Sequence, residues 1–155
     1  MNTIKKGKLG YNILEKELLK RNWDIYTPIT EDTRIDCIIA KNNQLVKLQI
    51  KTIQKDKSSN KKYLPVRKIE HNYKKHTTHL YTSEEIDFFI GVDVNTDDIY
   101  IVPIDFSSRY KSSISIRTLT PYKNNFSLME PYVGNDISEE DDIGESLTAN
   151  TEGTR

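Results

Sequence analysis

The sequence contains little of several residue types, and each shortage excludes a class of protein. Its 155 residues include one cysteine, Cys37, so an internal disulfide and a cysteine-rich zinc site are excluded. No run approaches the roughly 18 apolar residues that cross a bilayer, and residues 1–10 lack the apolar stretch of a signal peptide. We therefore expect a cytoplasmic protein of one domain with no membrane partner.

Basic and acidic residues are equal in number but separated along the chain. Residues 1–129 hold 22 of the 23 Lys and Arg and 15 of the 23 Asp and Glu, a balance of +7. Residues 41–75 alone contain eleven basic and two acidic residues. This block favours a polyanion such as nucleic acid, although a solvated lysine-rich surface gives the same count. Residues 134–155 are acidic and poor in apolar side chains, which predicts a disordered tail after a domain of residues 1–133.

The apolar pattern predicts one helix followed mainly by strands. Residues 5–21 carry apolar side chains at helical spacing, as in an amphipathic helix. Residues 35–52 alternate as a β-hairpin around Asn42 and Asn43, a pair that tolerates the positive φ angles of a tight turn. The polar segment that follows the hairpin predicts exposed loops. Further strands are predicted at 63–66, 86–94, 99–104 and 114–119.

The sequence of the first hairpin defines its register. With a two-residue turn at 42–43, Cys37 opposes Leu48 and Ile39 opposes Val46. That face is uniformly apolar, so it must face the core. A slip of one residue would send these side chains to solvent.

Three polar residues share the other face of this hairpin. Asp36 lies directly across from Gln49, with Cβ atoms about 4.5–5.5 Å apart, and Lys51 lies on the diagonal. Carboxylate and amide oxygens suit Mg²⁺, and Lys51 can orient a water, deprotonate it as the neutral amine, or as the ammonium neutralise phosphoryl charge. The trio therefore suits phosphodiester hydrolysis, although the same residues also occur on the solvent face of inert hairpins.

The order of these motifs resembles the PD-(D/E)XK nuclease superfamily. Ile35-Asp36 at a strand start and Gln49-Ile50-Lys51 on the next strand match its motif, with glutamine in place of the usual acid. The chain is similar, more narrowly, to the small group I intron homing endonucleases of cyanobacteria, also over the segments IDFFIGVDVNTDDIYIVPI and SISIRTLTPYKNN. The resemblance covers residues 5–130. It implies an α/β fold with a restriction-endonuclease-like core, a mixed central β-sheet flanked by helices in the order αβββαβ.

The resemblance also implies an activity and a set of partners. It implies a site-specific endonuclease for double-stranded DNA that uses Mg²⁺, with Mn²⁺ as a substitute, and a homotetramer on a long pseudo-palindromic target. Many relatives carry a glutamate on the first helix as a metal ligand; counting back from Trp23 puts Tyr11 at that position, and we assign the role to Glu15, one turn later. Two DNA strands require two sites, so at least a dimer is expected.

Two alternatives to this function stay open. A Holliday-junction resolvase has the same fold and reads branch shape instead of sequence. A catalytically inactive nucleic-acid-binding module would explain Gln49 and Tyr11, which both depart from the acidic pattern.

Basic and aromatic residues after the proposed catalytic strand predict DNA contacts through phosphates and base edges. The histidines among them lack the spacing of zinc ligands. The predicted contact residues are Lys55, Lys57, Lys61, Lys62, Arg67, Lys68, Tyr73, Lys74, Lys75, His76 and Arg117.

Overall fold

The computed structural model describes residues 1–72 and 75–130, and within these it leaves out the side chains of residues 68–78. Residues Met1–Asn125 form one compact unit, and a second unit begins at Phe126. The predicted domain boundary at 133 and the predicted disordered tail, 134–155, lie outside the described residues. No helix in the described ranges is long and apolar enough to cross a membrane.

The predicted N-terminal helix is confirmed as α1 (Thr3–Lys20). Asn2 caps it, because its side-chain oxygen accepts a hydrogen bond from the N–H of Lys5 at 2.9 Å. Leu14 and Leu18 of its apolar stripe are buried, whereas Leu9, one turn and more before them, is exposed. The helix makes its contacts with the strands of the central sheet.

The rest of the described chain is mostly β-structure. The strands are β1 (Asp24–Tyr26), β2 (Cys37–Lys41), β3 (Gln44–Thr52), β4 (Gln54–Lys55), β5 (Lys62–Pro65), β6 (Arg67–Asn72), β7 (Lys75–Leu80), β8 (Phe88–Val92), β9 (Ile99–Pro103) and β10 (Ser113–Ser115). The other helical elements are α2 (Ile104–Ser107) and two 3₁₀ helices, Thr120–Tyr122 and Phe126–Met129.

A five-stranded mixed sheet forms the centre of the first unit, in the order β1-β2-β3-β8-β9. Only β3 and β8 run parallel in it; the other neighbours are antiparallel. The register of the first hairpin is confirmed, with Cys37 opposite Leu48. Asn42 and Asn43 have φ angles of 50° and 62°, as a two-residue hairpin turn requires.

The predicted α/β fold with a mixed central sheet is confirmed, but strands replace two features of the predicted element order. The segment between β3 and β8 was predicted to form loops with one short strand. The predicted order αβββαβ also placed a helix after the third strand. Instead it contributes β4 and β5 to a second sheet, in the order β10-β5-β4, and pairs β6 with β7 as a separate ribbon. Charged residues do not prevent pairing of β4 with β5, where Lys55 lies opposite Lys62, because the ladder forms through backbone groups.

The predicted strand 114–119 is shorter than expected. The strand ends at Ser115, where the N–H of Thr118 bonds to the carbonyl of Ser115 and the N–H of Leu119 to that of Ile116. These turn bonds return Leu119 to the core, where it is fully buried together with Ile114.

Candidate active site

Asp36 lies at the point where the β2–β3 ladder ends. Its N–H donates to the carbonyl of Leu48 at 2.9 Å, and its side-chain Oδ2 accepts from the N–H of Ile50 at 2.7 Å. Because β2 begins only at Cys37, the N–H of Ile50 on β3 has no β2 carbonyl beside it, and the Asp36 carboxylate accepts its hydrogen bond instead. This bond holds the carboxylate next to the peptide that joins Gln49 to Ile50.

Gln49 is more buried than the hairpin alone predicts. Its exposed fraction is 6%, and its Oε1 atom has no hydrogen-bond partner among the described residues. The prediction that it faces solvent is wrong, because β3 also pairs with β8, which places Phe89 beside Gln49. Phe89 belongs to a buried cluster with Ile53 and Leu64, which covers this face of the sheet.

Lys51 follows on the same strand and, by strand alternation, on the same face as Gln49. It is partly buried and pairs with Gly91 of β8. Gly91 permits close packing, since a Cβ atom there would lie 2.9 Å from a methyl carbon of Leu64. Strand alternation thus puts Gln49 and Lys51 on one face of β3, and the hydrogen bond to Ile50 holds Asp36 against the backbone between them.

The first helix reaches this site through Tyr11. Burial raises the pKa of the Tyr11 phenol, and the negative charges of Glu15 and Asp36 raise it further. Helix and hairpin carboxylates therefore both act on the same phenol. A phenol with a raised pKa remains neutral at physiological pH, so Tyr11 offers a hydrogen-bond donor where a glutamate would offer a charge.

Comparison with known proteins identifies the family. A family model described as PD-(D/E)XK endonuclease matches residues 1–131. The chain belongs to the PD-(D/E)XK endonuclease family. A solved structure, described as that of the bacterial homing endonuclease I-Ssp6803I, is similar in fold, with a TM-score of 0.77 and 19% identity over 83% of this chain and 93% of that chain. No curated protein matches the sequence.

The possible metal ligands of this PD-(D/E)XK endonuclease suit a hard cation, but few of them carry a negative charge. Among the side chains that the structure describes, no group of three or more His, Cys, Asp and Glu is placed to hold a metal ion. The oxygens that suit Mg²⁺ are the Asp36 carboxylate and the buried Oε1 of Gln49, which has no donor. Glu15 lies on α1, in electrostatic range of Tyr11.

The predicted DNA-contact residues of the endonuclease fall into three groups. Lys62 differs from the rest, because its Nζ lies 2.6 Å from Oδ2 of the buried Asp93. That pair ties the second sheet to the end of β8. Exposed side chains are those of Lys55, Lys57, Lys61, Arg67 and Arg117. The side chains of Lys68, Lys75 and His76, and the whole of Tyr73 and Lys74, lie outside the described part of the chain.

A cluster that the sequence did not indicate holds the segment before Asp36. Arg34 Nη1 donates to Glu85 Oε2 at 2.7 Å, and the same guanidinium contacts His79 at the end of β7. Burial opposes ionisation of Glu85, but the hydrogen bond and charge of Arg34 outweigh it and lower the pKa of Glu85. No local signal could have found this cluster, because Arg34 and Glu85 are 51 residues apart.

Proposed function

We propose that this PD-(D/E)XK endonuclease is a site-specific, double-strand DNA endonuclease of the homing type that uses Mg²⁺, with Mn²⁺ as a substitute. The observation that supports the proposal most is the placement of the Asp36 carboxylate. It accepts a hydrogen bond from the N–H of Ile50, the residue after Gln49, whose buried Oε1 has no partner among the described residues. The general homing description of I-Ssp6803I, which shares the fold, agrees with it.

Each proposed site residue has a distinct role. Asp36, Gln49 and Glu15 would hold the divalent cation, which when bound supplies Lewis-acid stabilisation of negative charge on the phosphoryl oxygens. The backbone bond to Ile50 keeps the Asp36 carboxylate oriented before the ion arrives. Lys51 orients or deprotonates the attacking water, or neutralises charge that develops on the phosphate.

The site carries less negative charge than the usual motif. Glutamine replaces an acid at position 49, and Tyr11 occupies the helix position where the resemblance expects a glutamate. We therefore expect weaker cation binding than at a site with three carboxylates. The scarcity of acids also favours a second candidate function, an inactive module that binds DNA without cutting it.

The proposed reaction requires more than one copy of the chain. A duplex has two antiparallel strands, whereas each chain offers one proposed site. A two-fold assembly presents two sites and prefers a pseudo-palindromic target, and we propose at least a dimer, with a tetramer on a long target.

The direct test is cleavage of a plasmid library that carries random inserts, with the cut ends sequenced. With Mg²⁺, we expect linear products whose ends converge on one sequence, and no products in EDTA. Lys51→Ala should lower the cleavage rate at least about 100-fold, as expected when a group that stabilises transition-state charge is removed. DNA binding by this variant should remain dependent on salt.

Lys20→Ala is the matched control, because Lys20 is an exposed lysine on α1, with 61% of its side chain accessible. It should cleave at the wild-type rate. Unchanged cleavage by Lys51→Ala would refute the site assignment. Preference for a four-way junction over linear duplex would favour a resolvase, and binding without any cleavage would favour the inactive module.

A further inference from the structure

The chain enters β2 from a loop that is surrounded by solvent. Residues 27–33 are exposed, and the side chain of Ile29 is fully accessible. Asp36 lies where this loop joins the hairpin, only three residues after the exposed Thr33. Backbone hydrogen bonds open most readily at the end of a ladder, so a cation ligand at this position needs a further support to keep one orientation.

Arg34 supplies such a support, two residues before Asp36. Nη1 of its guanidinium donates to Oε2 of Glu85 at 2.7 Å, and Nη2 lies 3.1 Å from Nδ1 of His79. The side chains of Arg34 and Glu85 are 38% and 21% exposed, so water screens this ion pair only in part. The pair ties the end of the exposed loop to a segment 51 residues away.

The segment that carries Glu85 is itself fixed to β3. The N–H of Asp87 donates to the carbonyl of Lys47 at 2.9 Å, and the N–H of Lys47 donates to Oδ2 of Asp87 at 2.8 Å. Ile86, which lies between Glu85 and Asp87, is fully buried. Glu85 is therefore a fixed anchor for Arg34 at the start of β8.

The same cluster contacts the face of the sheet that carries Gln49. The ring of His79 meets that of Tyr81 edge to face, with 6.2 Å between centroids, and Tyr81 meets Phe89 in the same way at 5.0 Å. Phe89 lies beside Gln49 in the pairing of β3 with β8. The cluster is thus connected to both proposed cation ligands, to Asp36 through two residues of chain and to Gln49 through packed rings.

We propose that Arg34 is a positioning residue that, anchored on Glu85, fixes the Asp36 carboxylate in the orientation that binds the divalent cation. A ligand that is held before the cation arrives loses less freedom on binding, which raises the affinity. The proposal rests on the proposed function, in which Asp36 is a cation ligand. The positive charge of Arg34 by itself would weaken cation binding, so positioning and charge predict opposite effects when Arg34 is neutralised.

Hydrogen exchange measured by NMR in EDTA tests the positioning of Asp36 without a cation. The amide of Ile50 donates to Oδ2 of Asp36 at 2.7 Å, so its exchange rate reports on this contact. In Arg34→Gln and in Glu85→Gln it should exchange about 10-fold faster, because a hydrogen bond between charged groups no longer opposes local opening. The amide of Ile53, which donates to a carbonyl at the end of β8 at 2.8 Å, should exchange at the wild-type rate.

Titration with Mn²⁺ alone, followed by the electron paramagnetic resonance signal of the free ion, measures cation affinity. Arg34→Gln should bind Mn²⁺ about 10-fold more weakly than wild type, the low end of the loss seen when residues that support metal ligands are replaced. Loss of a positive charge would strengthen binding, so a weaker affinity cannot come from the charge. Arg34→Lys keeps the charge and a donor for Glu85, and should recover part of the loss.

Two controls separate positioning from a change of charge and from a loss of stability. Asp32→Asn removes an acid from the exposed loop, as Glu85→Gln removes one from the cluster, and should leave Ile50 exchange and Mn²⁺ affinity within about twofold of wild type. Ile101→Val lowers the stability of the fold at a fully buried position on β9, which β8 separates from β3. It should leave the Mn²⁺ affinity unchanged and alter the exchange of Ile50 and Ile53 by the same factor.

The outcomes separate this proposal from the proposed function. If wild type binds Mn²⁺ and cleaves DNA but Arg34→Gln matches it in Ile50 exchange or in affinity, the positioning role is wrong and the nuclease stands. Tighter Mn²⁺ binding by Arg34→Gln would also overturn the positioning role. If wild type binds no Mn²⁺ and cleaves no duplex DNA, the proposed function is wrong and the positioning role falls with it.

Discussion

Replacing Gln49 by methionine should abolish cleavage without destabilising the fold. Oε1 of Gln49 is buried and has no donor among the described residues. A buried polar atom without a partner costs about 1–3 kcal/mol, and methionine keeps the length of the side chain while removing that atom. We therefore expect the free energy of unfolding to stay constant or to rise by up to about 3 kcal/mol. At about 3 °C per kcal/mol, Tm would rise by up to about 9 °C.

Urea denaturation in EDTA measures this change, with the buried Trp23 as the fluorescent probe. Gln54→Met is the matched control, because its amide Nε2 donates to Thr52 Oγ1 at 3.1 Å. Losing that bond should cost about 0.5–1.5 kcal/mol and leave cleavage intact. A loss of more than about 1 kcal/mol in Gln49→Met would show that the amide oxygen has a donor. Wild-type cleavage by Gln49→Met would show that it is not a ligand.

Three other predictions concern the scaffold. Gly10→Ala should lower the free energy of unfolding by about 1–3 kcal/mol, because the new Cβ would lie 2.9 Å from Cγ2 of Thr52. Thr52→Ser removes that methyl group, so the double variant should regain the wild-type stability in urea denaturation. Burial opposes ionisation of Asp93, but the hydrogen bonds from Lys62 and the N–H of Asn95, with the charge of Lys62, together lower its pKa below the usual 3.8. The ion pair therefore stabilises the fold above that pH and is lost on acidification, and Asp93→Asn should flatten this acid dependence of Tm. Burial, and then the charge of Asp36, raises the pKa of the Cys37 thiol to about 12. The native protein therefore presents almost no thiolate at pH 8, and labelling by a thiol reagent should follow the unfolding rate. Fast labelling of the native protein would contradict this.

Local sequence patterns determined the first helix and the first hairpin. The apolar stripe of α1 recurs at helical spacing, and the alternation of residues 35–50 around Asn42 and Asn43 leaves one register that buries the apolar face. Because pairing follows from that register, the placement of Asp36 beside Gln49 and Ile50 was predictable. These features depend on residues close together in the chain.

Two strands of the second sheet were predicted, at 63–66 and 114–119, but their pairing and the strand β4 were not predictable from the same patterns. Its strands are short, with β4 and β10 having two and three residues, and β10 joins β5 from almost fifty residues away. Alternation over so few residues does not distinguish a strand from a loop. The pairing of these strands therefore emerged only from the structure.

The environment of the candidate site was decided by tertiary packing. The hairpin sequence places Gln49 on the face opposite the apolar one, but Phe89 and the cluster around it cover that face and bury the amide. Likewise, Arg34 meets Glu85 across 51 residues of chain. Sequence alternation specifies which side chains share a face, whereas burial depends on which distant segment packs there, and no pattern within the hairpin encodes that segment.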